Sequence, residues 1–337
     1  MKLLFFGTSE FAVPSLEAVA AEHDVAGVVT QPDRPAGRGH KPTATPVKRA
    51  ALARGLRVFE PEKLRAFTED ARALGADAFV VASYGKIVPQ VLLDVVPIAF
   101  NVHPSLLPLY RGATPIQSAI RDGRAETGVT IMAMDAGMDT GDVLFQERTA
   151  IGPQETYGEL HDRLARQSAM LLARGLASYA AGAYERIPQN ELARRDGISD
   201  DEIAATATRP LRKGDLDVDW LRSPDEIVAL VRSLAPAPLA RATYAEDAIK
   251  IVAARAVSLA QLAAEMQDGK LWQTPGLNIS AWPGSEVLYA LHDPANPDGA
   301  VIVDRLIAPN RGPCSGADYV RRRVAVARSR MESGHYP

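Results

Sequence analysis

Short apolar runs separated by helical stretches dominate the first half of this 337-residue chain. The runs lie at residues 3–6, 25–30, 78–82, 99–102 and 129–134. Apolar runs without polar alternation are typical of strands that are covered on both faces of a sheet. The pattern therefore predicts an α/β domain, a doubly wound and mostly parallel sheet similar to the Rossmann fold.

Polar or glycine-containing segments follow four of these runs, at residues 7–9, 83–85, 103–105 and 135–137. In an open parallel sheet, ligands bind beyond the carboxyl ends of the strands. We therefore expect the four segments to converge on one crevice. Gly7 lacks the later glycines of a dinucleotide fingerprint, and no Walker-type phosphate loop is present, so the sequence does not predict NAD or ATP binding.

The chain is expected to fold as two domains joined by a linker. Residues 1–188 form the predicted catalytic domain, which ends in a long helix that starts at the capping-box pattern of residues 156–159. Residues 189–214 are polar and without clear periodicity, which predicts a linker. Residues 215–337 contain short apolar runs at 249–252, 286–291 and 301–306, which predict a smaller, β-rich and barrel-like C-terminal domain.

Composition limits the compartment and the partners. A single cysteine, Cys314, excludes an internal disulfide framework and a cysteine-based zinc cluster, which fits a reducing compartment. No apolar run approaches the roughly 20 residues of a membrane span, and the N-terminus does not resemble a signal peptide. The formal net charge is −3, so any contact with RNA must be local. We expect a monomeric, cytoplasmic protein.

Asn101 and His103, at the end of the apolar run at residues 99–102, are candidate catalytic residues. They lie two positions apart, so a strand places both side chains on one face. Asp139 supplies a carboxylate from a glycine-rich loop. An amide, an imidazole and a carboxylate suit acyl or proton transfer without a metal. Asn101 and His103 can stabilise an oxyanion, and Asp139 can orient the imidazole and favour its cationic form.

The same features also have ordinary structural explanations. An Asn-x-His triplet occurs by chance, and a histidine at a strand end often caps a turn. The loop at residues 135–142 could be a turn or a calcium loop, although its spacing does not fit an EF-hand. Its glycines indicate a close approach of the backbone to another group. Ser105 has no nucleophile-elbow context, so we expect the nucleophile to come from the substrate.

Three motifs together resemble the formyltransferase family that uses 10-formyltetrahydrofolate. They are the segments at residues 101–108, 111–117 and 135–141. The resemblance implies the formyltransferase-type fold, with Asn101, His103 and Asp139 as catalytic residues. It places the folate co-substrate between the region around residues 81–87 and the Asp135 loop. The implied folate-binding residues are Tyr84, Gly85, Ile87, Ser105, Leu106, Leu107, Pro108 and Asp135.

The segment at residues 30–39 resembles the branch of this family that formylates the α-amine of methionine on initiator methionyl-tRNA, for translation initiation. Residues 34–59 contain seven Lys or Arg and no Asp or Glu. Such a run can be a solvated face, but phosphate contacts supply most of the affinity for RNA. The predicted tRNA contacts are Arg34, Arg38, Lys41, Lys48 and Arg49, together with Arg209 and Lys213 in the linker.

Other activities share these features. A formyltransferase acting on a small amine, such as a nucleotide sugar or glycinamide ribonucleotide, would use the same three catalytic residues, as would a formyl-folate hydrolase. The basic loop argues against all of these. A non-enzymatic RNA-binding protein would keep the basic residues without needing the catalytic set. We therefore expect an enzyme whose partners are initiator methionyl-tRNA and the folate co-substrate, with no metal and no membrane.

Overall fold

The computed structural model describes residues 1–36, 41–244, 247–265, 280–281, 287–291 and 299–323. These residues form two compact units. The first contains residues 1–118, 125–152 and 159–210, and the second contains residues 119–124, 153–158 and the described residues from 211 onward. The predicted limits at residues 188 and 214 stay predictions.

The first unit is built on a seven-stranded sheet, accompanied by a separate antiparallel pair, β3 and β4. The strands are β1 (Lys2–Gly7), β2 (Asp24–Val29), β3 (Arg34–Ala36), β4 (Lys41–Thr43), β5 (Val58–Phe59), β6 (Ala78–Ala82), β7 (Ala99–His103), β8 (Glu126–Ala133) and β9 (Val143–Ala150). Their order in the large sheet is β5-β2-β1-β6-β7-β8-β9. Neighbours from β5 to β7 pair in parallel. The predicted doubly wound, mostly parallel sheet is confirmed.

Helices lie between these strands and after β9. They are α1 (Val13–Glu22), α2 (Pro46–Ala53), α3 (Thr68–Leu74), α4 (Gln90–Leu93), α5 (Pro115–Arg121), α6 (Tyr157–Ala180), α7 (Gln189–Asp196) and α8 (Asp200–Ala205). The long α6 starts where the capping-box pattern predicts. No helix in the described part of the chain is long and apolar enough to cross a membrane.

The core of the sheet explains the unbroken apolar runs. Side chains of β1 and β6 are buried on both faces, and Phe5, Phe6 and Phe79 have no exposed surface. A fully buried side chain of this size contributes about 1.5–3 kcal/mol relative to an exposed one. The central strands are therefore a rigid base for the loops that follow them.

The direction of β8 corrects the expectation that all four loop segments follow strands of the same direction. β8 runs antiparallel to β7, with Phe100 opposite Ala133 and His103 opposite Thr130. The carboxyl end of β8 therefore lies beside the amino end of β7, away from His103. An apolar run reports burial but not strand direction, so the sequence could not distinguish the two arrangements. The loop after β8 reaches the site by a different path from the other three segments.

The second unit contains a smaller antiparallel sheet that forms a half-barrel. Its elements are α9 (Pro224–Leu234), β10 (Ala240–Tyr244), β11 (Asp247–Val257), α10 (Leu259–Glu265), β12 (Ser280–Ala281), β13 (Leu288–Leu291), β14 (Ala300–Ile307) and β15 (Pro313–Ser315). Apolar residues of α9, including Ile227, Val231 and Leu234, pack on Ile251 and Leu306. The predicted β-rich C-terminal domain is confirmed.

The predicted linker at residues 189–214 contains regular structure. α7 and α8 lie within residues 189–205, and Gly197 and Thr206 are their C-terminal caps. Ser199 caps α8 by accepting a hydrogen bond from the Glu202 N–H at 3.1 Å. Helices this short show too few turns for a periodic apolar face, so their pattern was not visible in the sequence.

Candidate active site

Asn101 and His103 project from β7, which lies between β6 and β8. The His103 side chain is buried, with 4% of its surface exposed, and Asn101 is half-buried. Nε2 of His103 lies 3.0 Å from the carbonyl oxygen of Tyr110. Because a carbonyl oxygen only accepts, Nε2 carries a proton in this arrangement. The other ring nitrogen, Nδ1, is left for the carboxylate of Asp139 and for a substrate.

The carboxylate of Asp139 meets both side chains. Its Oδ1 lies 3.3 Å from Asn101 Nδ2, and its Oδ2 accepts a hydrogen bond from the Gly112 N–H at 2.9 Å. The same Oδ2 lies 3.7 Å from His103 Nδ1. Asp139 itself has φ +55°, a left-handed conformation that an aspartate adopts only where its surroundings hold it. The structure therefore brings together all three predicted catalytic residues.

The loop that carries Asp139 is held by its own short contacts. One carboxylate oxygen of Asp135 accepts from the Gly137 N–H at 3.0 Å and from the Thr140 hydroxyl at 2.7 Å. A Cβ on Gly141 would lie 1.7 Å from the Ala133 carbonyl oxygen. The glycines thus allow the loop backbone to approach neighbouring backbone of the same hairpin. The side chain of Asp135, a predicted folate-binding residue, is engaged within the loop.

Gln189, the first residue of α7, joins the Asp139 loop to the turn at Arg111. Its Nε2 donates to the carbonyl oxygens of Asp139 and Gly141, both at 2.8 Å. Its Oε1 accepts from Arg111 Nε at 2.9 Å and from Nη2 at 2.7 Å. Burial lowers the pKa of Arg111, although the charge of Asp139 opposes this effect. A half-buried cation therefore lies beside the proposed catalytic carboxylate.

The turn after His103 is fixed by buried polar contacts. The Ser105 hydroxyl donates to the Leu109 carbonyl oxygen at 2.7 Å, and Thr130 donates to the Ser105 carbonyl oxygen at 2.7 Å. Among the predicted folate-binding residues of this turn, Ser105, Leu107 and Pro108 are buried and Leu106 is half-buried. Their assignment to folate stays a prediction, and the buried side chains shape the turn.

The segment after β6 contains the other predicted folate-binding residues. The Tyr84 ring is buried against Phe6, and this burial raises the pKa of its phenol to about 12. The Tyr84 carbonyl oxygen accepts from the Thr8 hydroxyl at 2.8 Å. Gly85 is exposed, and Ile87 has 76% of its surface exposed. Met138, next to Asp139, is 59% exposed. Ile87 and Met138 thus present apolar surface to solvent.

Several basic side chains of the segment at residues 34–59 form ion pairs that its sequence does not indicate. Lys48 Nζ lies 2.8 Å from Glu60 and 2.9 Å from Asp33, and the hydrogen bonds to Glu60 and then Asp33 raise its pKa. Arg49 pairs with Glu10 at 3.0 Å, and Arg54 pairs with Glu17 at 3.1 Å. The acids come from outside the segment. A count within the segment could not reveal them.

The remaining predicted tRNA contacts have different placements. Arg34 is exposed on β3, and Lys213 is exposed in a short 3-10 helix. Arg209 donates from Nη1 to the Pro210 carbonyl oxygen at 3.1 Å. Lys41 lies in β4, and Arg38 lies outside the described residues. All of these assignments stay predictions.

Sequence reasoning missed the groups that support the three predicted catalytic residues. The Tyr110 carbonyl and the Gly112 N–H act through the backbone, which leaves no residue-type signal. Arg111 lies within a motif but had no assigned role. Gln189 lies in the predicted linker, where no pattern singled it out. Among the described residues, no group of His, Cys, Asp or Glu side chains is placed to hold a metal ion.

The family comparisons match both units. The formyl transferase model matches residues 1–176, and the model of the formyl transferase C-terminal domain matches residues 210–323. Methionyl-tRNA formyltransferase of Solibacter usitatus is 44% identical over 289 residues, covering 85% of this chain and 88% of that protein. The protein of that name from Xanthomonas axonopodis pv. citri is 45% identical over 263 residues, covering 77% and 82%.

Solved structures share the fold at low sequence identity. The N-formyltransferase of Helicobacter canadensis, solved with folinic acid and dTDP-3-aminofucose, has a TM-score of 0.62 and 18% identity, covering 90% of this chain and 98% of its own. HypX of Aquifex aeolicus, solved with tetrahydrofolic acid, has a TM-score of 0.58 and 16% identity, covering 95% and 47%. With both domain models and these relatives matched, the chain belongs to the formyltransferase family, in the group of the methionyl-tRNA formyltransferases.

Proposed function

We propose that the protein transfers the formyl group of 10-formyltetrahydrofolate to the α-amine of methionine on initiator methionyl-tRNA, for translation initiation. The observation that carries the proposal is the convergence of three side chains: Asn101 is hydrogen-bonded to Asp139, and His103 Nδ1 lies 3.7 Å from the same carboxylate. Relatives named methionyl-tRNA formyltransferase, at 43–45% identity, support the choice of acceptor. The enzyme is proposed to be a cytoplasmic monomer.

The three side chains have complementary roles. The co-substrate supplies the formyl group, and the amine of the acceptor is the nucleophile. Asn101 Nδ2 uses one N–H toward Asp139 and keeps a second N–H for the oxygen that becomes negatively charged. His103 lies between the Tyr110 carbonyl and the Asp139 carboxylate, which hold the ring beside the reacting group, and it stabilises the same charge. Asp139 orients His103 and accepts the proton released from the attacking amine. The bond between the formyl carbon and N10 of the folate then breaks, and N10 of the departing tetrahydrofolate takes up a proton.

The co-substrate fits the surroundings of this cluster. Exposed apolar side chains at Ile87 and Met138 suit the flat ring system of a folate. Gly85 offers exposed backbone beside Ile87. The proposed folate contacts remain the segment at residues 84–87, Asp135 and the turn at residues 105–108. The buried side chains of this turn would line one side of the site. The proposed contacts with tRNA are the basic residues of the loop at 34–49 other than Lys48, which is paired with Asp33 and Glu60, together with Arg209 and Lys213.

An acceptor panel tests the proposal. The protein is incubated with 10-formyltetrahydrofolate and, in separate reactions, methionyl-tRNA, uncharged tRNA, a nucleotide-linked amino sugar or glycinamide ribonucleotide. Formylation of methionyl-tRNA alone is the expected result. A formylated small amine, or release of formate without an acceptor, would contradict the proposed acceptor. Binding of tRNA without formylation would indicate the non-enzymatic alternative.

A histidine pair tests the catalytic assignment. His103→Ala is expected to lower kcat by at least ~10²-fold, the typical effect of removing one oxyanion-stabilising donor. His23→Ala is the matched control, because His23 is a partly buried histidine that follows α1 at the opposite end of the sheet. Its turnover is expected to equal that of the parent protein. Activity of His103→Ala within a few-fold of the parent would exclude His103 as a catalytic residue.

A further inference from the structure

We propose that Gln189 is a positioning residue, which sets the orientation of the Asp139 carboxylate in the proposed formyl transfer. The inference rests on the proposed function. Gln189 is the first residue of α7 and lies in the stretch between the two matched family domains, residues 1–176 and 210–323. No substrate contact is assigned to it, and it acts through Asp139.

The hydrogen bonds of Gln189 use its whole side-chain amide. The two Nε2 hydrogens reach the carbonyl oxygens of Asp139 and Gly141 at 2.8 Å each. Oε1 accepts two bonds from Arg111, at 2.9 and 2.7 Å. An amide has two donors and two acceptor sites, so the group is fully satisfied. Gln189 is also buried, which strengthens these bonds relative to bonds in water.

These four hydrogen bonds all help to position the Asp139 carboxylate. Gln189 holds the carbonyl of Asp139 itself, whose backbone has the left-handed φ of +55°. It also holds the side chain of Arg111. The next residue, Gly112, donates its N–H to Asp139 Oδ2 at 2.9 Å. A single side chain therefore fixes both the backbone that carries the carboxylate and the turn that binds it.

The same stretch supports His103 as well. Thr206, just after α8, accepts a bond from the Tyr110 N–H at 3.4 Å, and the Tyr110 carbonyl faces His103 Nε2. Thr208 donates from its N–H to the Arg111 carbonyl at 2.7 Å. Residues 189–208 thus contact the turns on which His103 and Asp139 depend. A displacement of about 1 Å at such a site can cost ~10²-fold in rate.

Gln189→Met tests the role, since it keeps a similar volume and removes all four hydrogen bonds. We expect kcat for methionyl-tRNA formylation to fall ~10–100-fold. KM values for tRNA and folate should stay within about twofold, because an interaction that matters only in the transition state lowers kcat. Gln167→Met is the matched control: Gln167 is a buried glutamine of α6 with a bond to Glu147 at 2.9 Å. Its kcat should equal that of the parent.

Gln189→Glu supplies a readout that a purely structural role would not change. One oxygen of the new carboxylate still accepts from Arg111, while the other faces the carbonyls of Asp139 and Gly141 without a proton. Protonation restores one donor. Activity relative to the parent is therefore expected to rise as pH falls from 8 to 6. A constant ratio across this range would contradict the role, even if Gln189→Met fails to fold.

The outcomes separate the two proposals. A parent protein that formylates methionyl-tRNA, together with a Gln189→Met variant of unchanged kcat, overturns the role of Gln189 alone. A raised KM with unchanged kcat also overturns it, because Gln189 would then serve binding. A parent protein that does not formylate methionyl-tRNA overturns the proposed function and, with it, this role of Gln189.

Discussion

The carboxylate of Asp139 is the residue on which the proposed chemistry depends most. It receives donors from Asn101 and Gly112 and faces His103 Nδ1. A carboxylate oxygen only accepts, so the Asn101 and Gly112 N–H groups both donate to Asp139. An amide at this position has one accepting atom and would turn its NH₂ toward a donor. The charge beside the imidazole would also be lost.

Asp139→Asn is therefore expected to lower kcat by at least ~10²-fold, because it removes the orienting charge and the proton acceptor together. Single-turnover rates with saturating methionyl-tRNA measure the effect. Asp142→Asn is the control from the same loop, since Asp142 pairs only with the half-exposed Arg186, at 3.3 Å, among the described residues. Equal losses in both variants would indicate a general disturbance of the loop.

Tyr84 gives a prediction about pH and stability. Burial raises the pKa of its phenol from 10.0 to about 12. Below pH 10 the phenol is protonated in both the folded and unfolded chain. Between pH 10 and 12 only the unfolded chain ionises, so the contribution of Tyr84 falls by ~1.4 kcal/mol per pH unit. Urea unfolding at several pH values should show the stability of Tyr84→Phe rising relative to the parent above pH 10. A constant difference would contradict the raised pKa.

At the scale of elements, strand β8 contains two buried threonines that differ in the hydrogen bonding of their hydroxyl groups. The Thr130 hydroxyl donates to the Ser105 carbonyl and accepts from the Leu107 N–H at 3.2 Å and from Gln146 Nε2 at 2.9 Å. The Thr127 hydroxyl has no hydrogen-bond partner among the described residues. Comparing the two threonines therefore distinguishes the effect of hydrogen bonding on stability from the effect of burial.

Thr130→Val is expected to destabilise the protein by about 2–3 kcal/mol, because it leaves buried groups of the turn after His103 without partners. Thr127→Val should change stability by less than about 0.5 kcal/mol or increase it. Chemical unfolding measures both variants. Equal losses would show that the hydroxyl contacts of Thr130 do not fix the turn. The activity of Thr130→Val should also fall, since His103 begins this turn.

The fold was largely predictable from the sequence at this scale. Strands β1, β2, β6 and β7 were visible because burial on both faces leaves unbroken apolar runs, and α6 was visible from its cap and its apolar face. The direction of β8 and the helices α7 and α8 were not. The position of Gln189 was also hidden, because its contacts join residues that are far apart in the chain. The structure brings Asn101, His103 and Asp139 together, as their motif spacing and side-chain chemistry led us to expect, and their catalytic role stays a prediction.

For the whole molecule, the question is how a chain of net charge −3 would bind a polyanion. Local contacts must supply the attraction, since the overall charge does not. The structure divides the basic residues of the loop into two kinds. Lys48 has 18% of its side chain exposed and is bridged by Asp33 and Glu60. Arg34 is exposed on β3, with its backbone opposite Thr43.

This division predicts different effects of two substitutions on tRNA binding. Each lost phosphate contact reduces the slope of log K against log salt concentration by about one. Arg34→Ala is expected to show that reduction, with folate affinity unchanged. Lys48→Met should leave the salt slope unchanged and instead lower stability, because Asp33 and Glu60 lose their shared cation. Filter binding of methionyl-tRNA from 50 to 200 mM salt measures both. If Lys48→Met reduces the slope and Arg34→Ala does not, tRNA displaces Asp33 and Glu60 from Lys48, and exposure in the free protein is the wrong guide to its tRNA contacts.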